Sequence, residues 1–241
     1  MNRLLLPALG LLFSVCAHAD PLADFQTRIR AEYVKPLALD LGGILGSDSA
    51  HTGKVIGFPG FWAGIVGAGQ FRPDQNDRVL RDSNVKTFGL PLIEVGVGLP
   101  FKTDLVVHGV KSYGWTVYGA GVRYGVYQAG LIDAFLPSVS VAAFGDRINH
   151  PYFHVNHLGF DATATWSLPL IRPFILAGAD VTTLKVTSAA IPSVDGVSAT
   201  ANGSRFSLGA DVTPFPFLSL RGAYTLRHGM PGFDLGLGVR F

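Results

Sequence analysis

From Phe233 to the end, apolar and polar positions alternate. Phe233, Leu235, Leu237, Val239 and Phe241 share one face of an extended strand, and Asp234, Gly236, Gly238 and Arg240 share the other. Three earlier segments repeat the pattern. Leu218, Leu220, Tyr224 and Leu226 alternate with Ser219, Arg221, Thr225 and Arg227, and Phe206, Leu208, Ala210 and Val212 with Arg205, Ser207, Asp211 and Thr213. Leu158, Phe160, Ala162, Ala164, Trp166 and Leu168 alternate with His157, Asp161, Thr163, Thr165 and Ser167. Six further candidates span 61–71, 90–99, 103–111, 115–127, 137–145 and 171–186, which makes ten strands. The first is rich in glycine and ambiguous in its facing. In 171–186 no single register puts both Asp180 and Lys185 on the polar side, so a bulge is expected there.

The polar face is small and sparsely charged, whereas a soluble sandwich would present Lys and Glu. Small polar side chains suit a narrow lumen and large apolar ones suit lipid. The pattern therefore predicts an all-β chain, a transmembrane antiparallel up-and-down barrel of ten strands, with twelve as the alternative. The connections agree in phase. Apolar, proline-bearing turns at 99–102, 135–137, 168–170 and 213–217 alternate with longer or more polar loops at 72–87, 146–156, 188–203 and 227–232, as expected of short periplasmic turns and long outer loops.

Composition supports many short strands: 30 glycines, 48% hydrophobic and 15% charged residues. Near-balanced charge, 19 basic against 17 acidic residues, leaves no basic stripe for nucleic acid. The chain starts with Asn2-Arg3, an apolar run from Leu4 to Val15, and Ala17-His18-Ala19, the order of a cleavable export signal. That run is too short for a spanning helix, and no later stretch supplies the roughly 20 apolar residues one needs. The sole cysteine, Cys16, falls inside this leader, where Val15 does not fit a lipoprotein signal. The expected divisions are a signal peptide over 1–19, an N-terminal helical plug or periplasmic segment over 20–57, and a barrel over 58–241.

Residues 20–57 lie outside the strand plan. Leu22, Phe25, Ile29 and Tyr33 recur at helical spacing, and Leu37, Leu41 and Leu45 share a face of a second helix that Pro36 could open and Gly42-Gly43 weaken. The segment is expected inside the lumen as a plug. Extra strands or a place at the periplasmic rim are the alternatives.

Candidate chemistry is thin. His150, His154 and His157 fall in the 146–157 segment, read as a polar loop. They could bind a transition metal, although no carboxylate or thiol stands at a characteristic spacing and an ordinary interfacial loop is favoured. Lumen-facing positions are expected at Glu94, Asp104, His108, Arg123, Asp161, Asp211, Arg221, Arg227, Asp234 and Arg240, with opposite charges pairing across the lumen. No cofactor is expected, since the Gly-x-Gly repeats at 96–98 and 119–121 belong to strands and precede no helix.

The last strand resembles the C-terminal assembly signal of Gram-negative outer-membrane proteins, through Phe233, Leu235, Leu237, Val239 and the terminal Phe241. The resemblance implies recognition by the barrel-assembly machinery and residence in the outer membrane among its lipids and lipopolysaccharide. Ten strands would also resemble omptin proteases in architecture, but their Asp-x-His and paired Asp signatures are absent, as is the His and Ser pairing of barrel-type lipid A deacylases and phospholipases. The expected role is a non-enzymatic small channel or carrier for small or apolar molecules, gated by the N-terminal segment. A lipid-modifying enzyme using the histidines, or an adhesive or structural barrel acting through its loops, are the alternatives.

Overall fold

The computed structural model describes residues 22–45, 52–112, 114–130 and 135–241, so the expected signal peptide lies outside the described residues. The strands are β1 (Phe61–Gln70), β2 (Phe88–Leu99), β3 (Thr103–Ser112), β4 (Trp115–Tyr127), β5 (Ser138–His150), β6 (Phe153–Thr165), β7 (Ile171–Val186), β8 (Ser198–Phe215), β9 (Leu218–Arg227) and β10 (Met230–Arg240). Each pairs antiparallel with its neighbour in sequence, and β1 closes on β10, with Trp62 opposite Arg240 and Gln70 opposite Gly232. The count is ten, not twelve. The rim that carries Phe61 and Phe241 is termed the near rim, the opposite one the far rim.

Alternation of side chains is regular, but its chemistry inverts partway up. In the near half, apolar residues such as Ile93, Val122, Phe160, Ile175 and Leu208 stand exposed on the outer face, and polar ones are buried inside. Toward the far rim, β6 turns Phe153 and Val155 inward and His154 and Asn156 outward. β7 turns Leu184 and Val186 inward and Thr183 and Lys185 outward, and Ile148 is buried while Arg147 is exposed on β5. The far half is thus built like a soluble protein, with an apolar interior and a polar exterior.

This inversion corrects several expectations. The segment 146–156 is not a loop: β5 runs to His150 and β6 starts at Phe153, joined by Pro151-Tyr152 alone. The loop expected over 188–203 contracts to 187–197, and that over 227–232 to His228-Gly229, whose positive φ values of 51° and 78° suit a tight hairpin turn. Polar residues there mark strand that stands above the apolar belt. No bulge is needed in β7, which pairs with both neighbours without a register shift. Asp180 faces in and Lys185 faces out because outward polarity is tolerated at that height.

Residues 22–45 fill the far half of the lumen. The single helix expected over 22–33 is broken: α1 (Phe25–Arg28) ends at Ile29, whose ψ of 135° is extended, and a 3₁₀ turn follows at Ala31–Tyr33. Arg30 Nη1 donates to the carbonyls of Thr27 and Ile29, satisfying acceptors that a longer helix would have used. Then α2 (Val34–Ile44) carries Pro36 in its first turn, where no amide donor is required. Leu37 and Leu41 are buried as expected, but so are Val34, Ala38, Asp40 and Ile44, because the barrel surrounds the helix. Its apolar contacts join Phe88, Leu90, Trp115, Ile148, Phe153 and Leu184 of the wall in one core.

Candidate functional site

At the seat of the plug, charged residues of the lumen meet the helix α2. Gly42 and Gly43 let α2 approach the wall. A Cβ at Gly42 would run into the Thr182 hydroxyl, and one at Gly43 would come within 3.3 Å of Arg227, Gln70 and His228 side chains. The glycines that weaken the helix by propensity are therefore what allow it to dock. At its C-terminal end, Leu45 O accepts from Arg205 Nη2 at 3.1 Å, placing a cation where the helix dipole is negative.

Below the seat lies a polar layer. Arg205, fully buried on β8, reaches Asp161 at 3.4 Å and Asp180 at 3.6 Å. Arg227 pairs with Asp234, which also accepts from Thr225. His108 Nε2 meets Asp146 Oδ1 at 2.5 Å, while His157 contacts Thr182 Oγ1 through Nδ1 at 3.0 Å and stands 3.8 Å from Asp146 Oδ2. The last three resemble a hydroxyl, imidazole and carboxylate array, but the 3.8 Å gap exceeds a hydrogen bond and Gly42 covers the hydroxyl. The array is a sealed polar contact.

Toward the near rim, residues 52–57 cross the lumen. Ile56 N donates to both carboxylate oxygens of Asp104, at 3.0 and 2.9 Å, and Arg123 clasps the same carboxylate at 2.6 Å. Arg240 Nη2 donates to Val55 O at 2.5 Å, and Gly53 N to Thr165 Oγ1 at 2.8 Å. Arg221 pairs with Asp211 at 2.7 Å and lies over the Trp62 ring at 5.9 Å. The lumenal cavity that remains there is about 30 Å³, lined among others by Glu94, Arg123, Arg172, Arg221 and Arg240. That is room for about one water. A larger concavity, about 450 Å³, lies on the outer wall over Ala162, Ala164 and Ala177.

All ten charged or imidazole residues expected in the lumen lie on inward strand positions. Glu94, Asp104, His108, Arg123, Asp161, Asp211, Arg227 and Asp234 are buried, and Arg221 and Arg240 half-buried near the rim. Asp104 with Arg123, His108 with Asp146, Asp161 with Arg205, Asp211 with Arg221 and Arg227 with Asp234 pair along the wall, between strands adjacent or one apart, and not across the lumen as expected, while Arg240 donates to Val55 O. Sequence reasoning missed Asp146, hidden by the supposed loop, and gave no role to Arg205 or Asp180, although Arg205 shares the inward register of Ser207 and Asp211. The three histidines of the metal reading do not converge. His150 faces in and stacks on Phe153 at 4.6 Å, His154 faces out, and His157 faces in on the next layer. Among the described residues no group of three His, Cys, Asp or Glu is placed to hold a metal. Phe233, Leu235, Leu237 and Val239 line the outer face of β10, and Phe241 stacks between Phe61 at 4.9 Å and Phe217 at 5.6 Å.

At the far rim, Asp40 ties the plug to the β1–β2 connection. Its carboxylate accepts from Gln70 Nε2 at 2.8 Å and from Asp74 N at 3.1 and 2.8 Å, and it hydrogen-bonds the side chain of Asp77. Asp77 in turn caps α3 (Arg78–Asp82) by accepting from Leu80 N at 3.1 Å. Burial first, then the Asp77 charge, raises Asp40 to about 8; burial raises Asp77 to about 6.

Removing Arg205 should be costly. Arg205→Met leaves Asp161 and Asp180 buried without their cation, a loss of about 3–5 kcal/mol. The urea midpoint of the heat-modifiable folded band should fall markedly, and adding Asp161→Asn and Asp180→Asn should recover most of it. An unchanged midpoint in the single variant would show that the layer does not hold the barrel.

No family model and no curated protein matches the sequence. Among solved structures, the chain is similar to the N-terminal β-barrel domain of Pseudomonas aeruginosa OprF, at 13% identity over 74% of this chain and 97% of that one, with a TM-score of 0.37. It is also similar to Neisserial surface protein A, at 12% identity over 75% and 95% with a TM-score of 0.32. The translocator domain of the Neisseria meningitidis autotransporter NalP is similar at 9% identity over 88% and 99%, with a TM-score of 0.34.

Proposed function

We propose that this barrel resides in the outer membrane with its near rim in the periplasm, and that it is a conduit for a small solute, closed at rest by its own N-terminal segment. One observation carries the reading: residues 22–45 pack into the far half of the lumen, and residues 52–57 are hydrogen-bonded to its near-rim wall beside a cavity of about 30 Å³. The outward apolar belt supplies the membrane-embedded surface, and the near rim, where the strand that resembles the assembly signal ends, suits the periplasmic side; turn length does not separate the rims, since the far-rim turns at 151–152 and 228–229 are as short as that at 216–217. The plug's polar ties, Asp40 to the β1–β2 connection and Asp104 and Arg240 to 55–56, are the contacts that a gating event would exchange for water.

Deleting residues 22–57 from the mature chain should turn a silent protein into one that gives discrete conductance steps in planar bilayers, with the heat-modifiable fold retained. A deleted barrel that stays silent while folded would refute gating by this segment. The enzymatic alternative is disfavoured by geometry, since His150 and His157 are sealed inside and His154 is on the opposite face of the wall.

A further inference from the structure

On the outward strand positions among the described residues, charge is of one sign only. The strand carboxylates Glu94, Asp104, Asp146, Asp161, Asp180, Asp211 and Asp234 are all buried on inward positions. The charged residues on outward strand positions are Lys111 on β3, Arg147 on β5 and Lys185 on β7, all exposed and all toward the far rim. They are neighbours. One line of cross-strand partners runs Lys111, Thr116, Asn149, His154, Lys185, and Arg147 stands two residues below Asn149, opposite Tyr118 and Asn156. Strands lie about 4.8 Å apart, so the three cations are spaced by roughly 10 Å along a ridge.

Among the described residues no carboxylate neutralises this ridge. Among the described residues Lys111, Arg147 and Lys185 form no ion pair; Arg147 donates Nε to Asn149 Oδ1 at 3.0 Å, and Asn149 reaches the Tyr118 hydroxyl at 3.5 Å. Asp195, in the loop beyond Lys185, is committed to Ala189 N at 2.6 Å. His154 adds an imidazole whose Nδ1 is buried without a hydrogen-bond partner. The next outward row below that line is Gly109, Tyr118, Arg147, Asn156 and Thr183, and the row below it, Val107, Ala120, Gly145, Leu158 and Val181, is the top of the apolar belt. The ridge therefore stands where a membrane's apolar layer gives way to its headgroups.

We propose that Lys111, Arg147, His154 and Lys185 form a docking ridge for the phosphate groups of lipopolysaccharide in the outer leaflet, with its acyl chains on the apolar belt below. This rests on the outer-membrane reading, which turns the far rim outward. Charge complementarity selects the occupant: a guanidinium and two ammonium groups, free of competing carboxylates, suit the phosphates of an anionic glycolipid. Contacts at such an exposed height are screened by salt.

The test uses the full mature chain in detergent, titrated with rough lipopolysaccharide and with the same material dephosphorylated. Lys111→Gln, Arg147→Gln and Lys185→Gln together should weaken binding by about tenfold or more, as expected for three exposed charge contacts each worth a fewfold. Dephosphorylated lipopolysaccharide should bind the wild type no better than intact material binds the variant, and the triple Lys111→Arg, Lys185→Arg, Arg147→Lys chain should bind normally. Heat-modifiability checks folding; if the triple variant fails it, Arg147→Gln with Lys185→Gln is used. Equal binding by variant and wild type, equal binding of the dephosphorylated lipid, or equal retention of phosphatidylglycerol vesicles would each overturn the proposal. An epitope in the 187–197 loop, probed on intact cells, reports separately whether the far rim faces outward.

Discussion

Replacing Gly42 by leucine is expected to expel the plug while leaving the barrel folded. The helix lies against β7 so closely that even a methyl group at residue 42 would overlap the Thr182 hydroxyl, and α2 has no free side toward which to move, since Val34, Leu37, Ala38, Leu41 and Ile44 are all buried around it. Overpacking of this kind costs about 1–3 kcal/mol where neighbours can shift, and more where they cannot. Protection of residues 22–45 from protease should accordingly fall by about tenfold to a hundredfold. Barrel pairing does not use these residues, so the heat-modifiable band should persist. The companion variant Thr182→Gly, which clears the space, should restore protection to a Gly42→Ala chain. Full protection in Gly42→Leu would mean that the helix is not held where the structure puts it.

The near half of the barrel was legible because lipid outside and polar groups inside impose alternation with one sign. Phe160 against Asp161, or Leu220 against Arg221, announce both the strand and its facing. The far half follows the same geometry with the opposite chemistry, and its sequence signal was misread. Arg147, Asn149, His154 and Asn156 read as loop because polar residues cluster there, whereas Ile148, Phe153 and Val155 face inward on the same strands. The apparent slip between Asp180 and Lys185 was that inversion seen within one strand. Recognising the apolar stripe of residues 22–45 predicted a lumenal occupant, but not that the wall would answer it with apolar residues of its own. The Asp40 tie to Asp74 and Asp77 had no local signature, since it joins a helix to a connection more than 30 positions away in sequence.

Raising the pH from 6 to 9 is expected to loosen the plug through that tie. In the docked state Asp40 holds its proton up to about 8, because burial and the neighbouring Asp77 disfavour its charge. Once released into water it would titrate near the ordinary 3.8. Between these values the docked form binds more protons than the released one, so docking is strongest below about pH 4 and weakens as pH rises, with nothing further lost above about 8. One proton gives a slope of at most about 1.4 kcal/mol per pH unit, and Asp77, raised to about 6, adds to it only in the lower part of the window. Conductance of the intact protein, and cleavage of residues 22–45, should therefore both climb between pH 6 and 8 and then level off. Asp40→Asn keeps an acceptor for Asp74 N but has no charge to gain, so it should hold the plug across the whole range. A wild-type profile as flat as that of Asp40→Asn would sever the carboxyl pair from gating, and would leave the apolar contacts of α2 and the ties at Arg205, Asp104 and Arg240 as the lock.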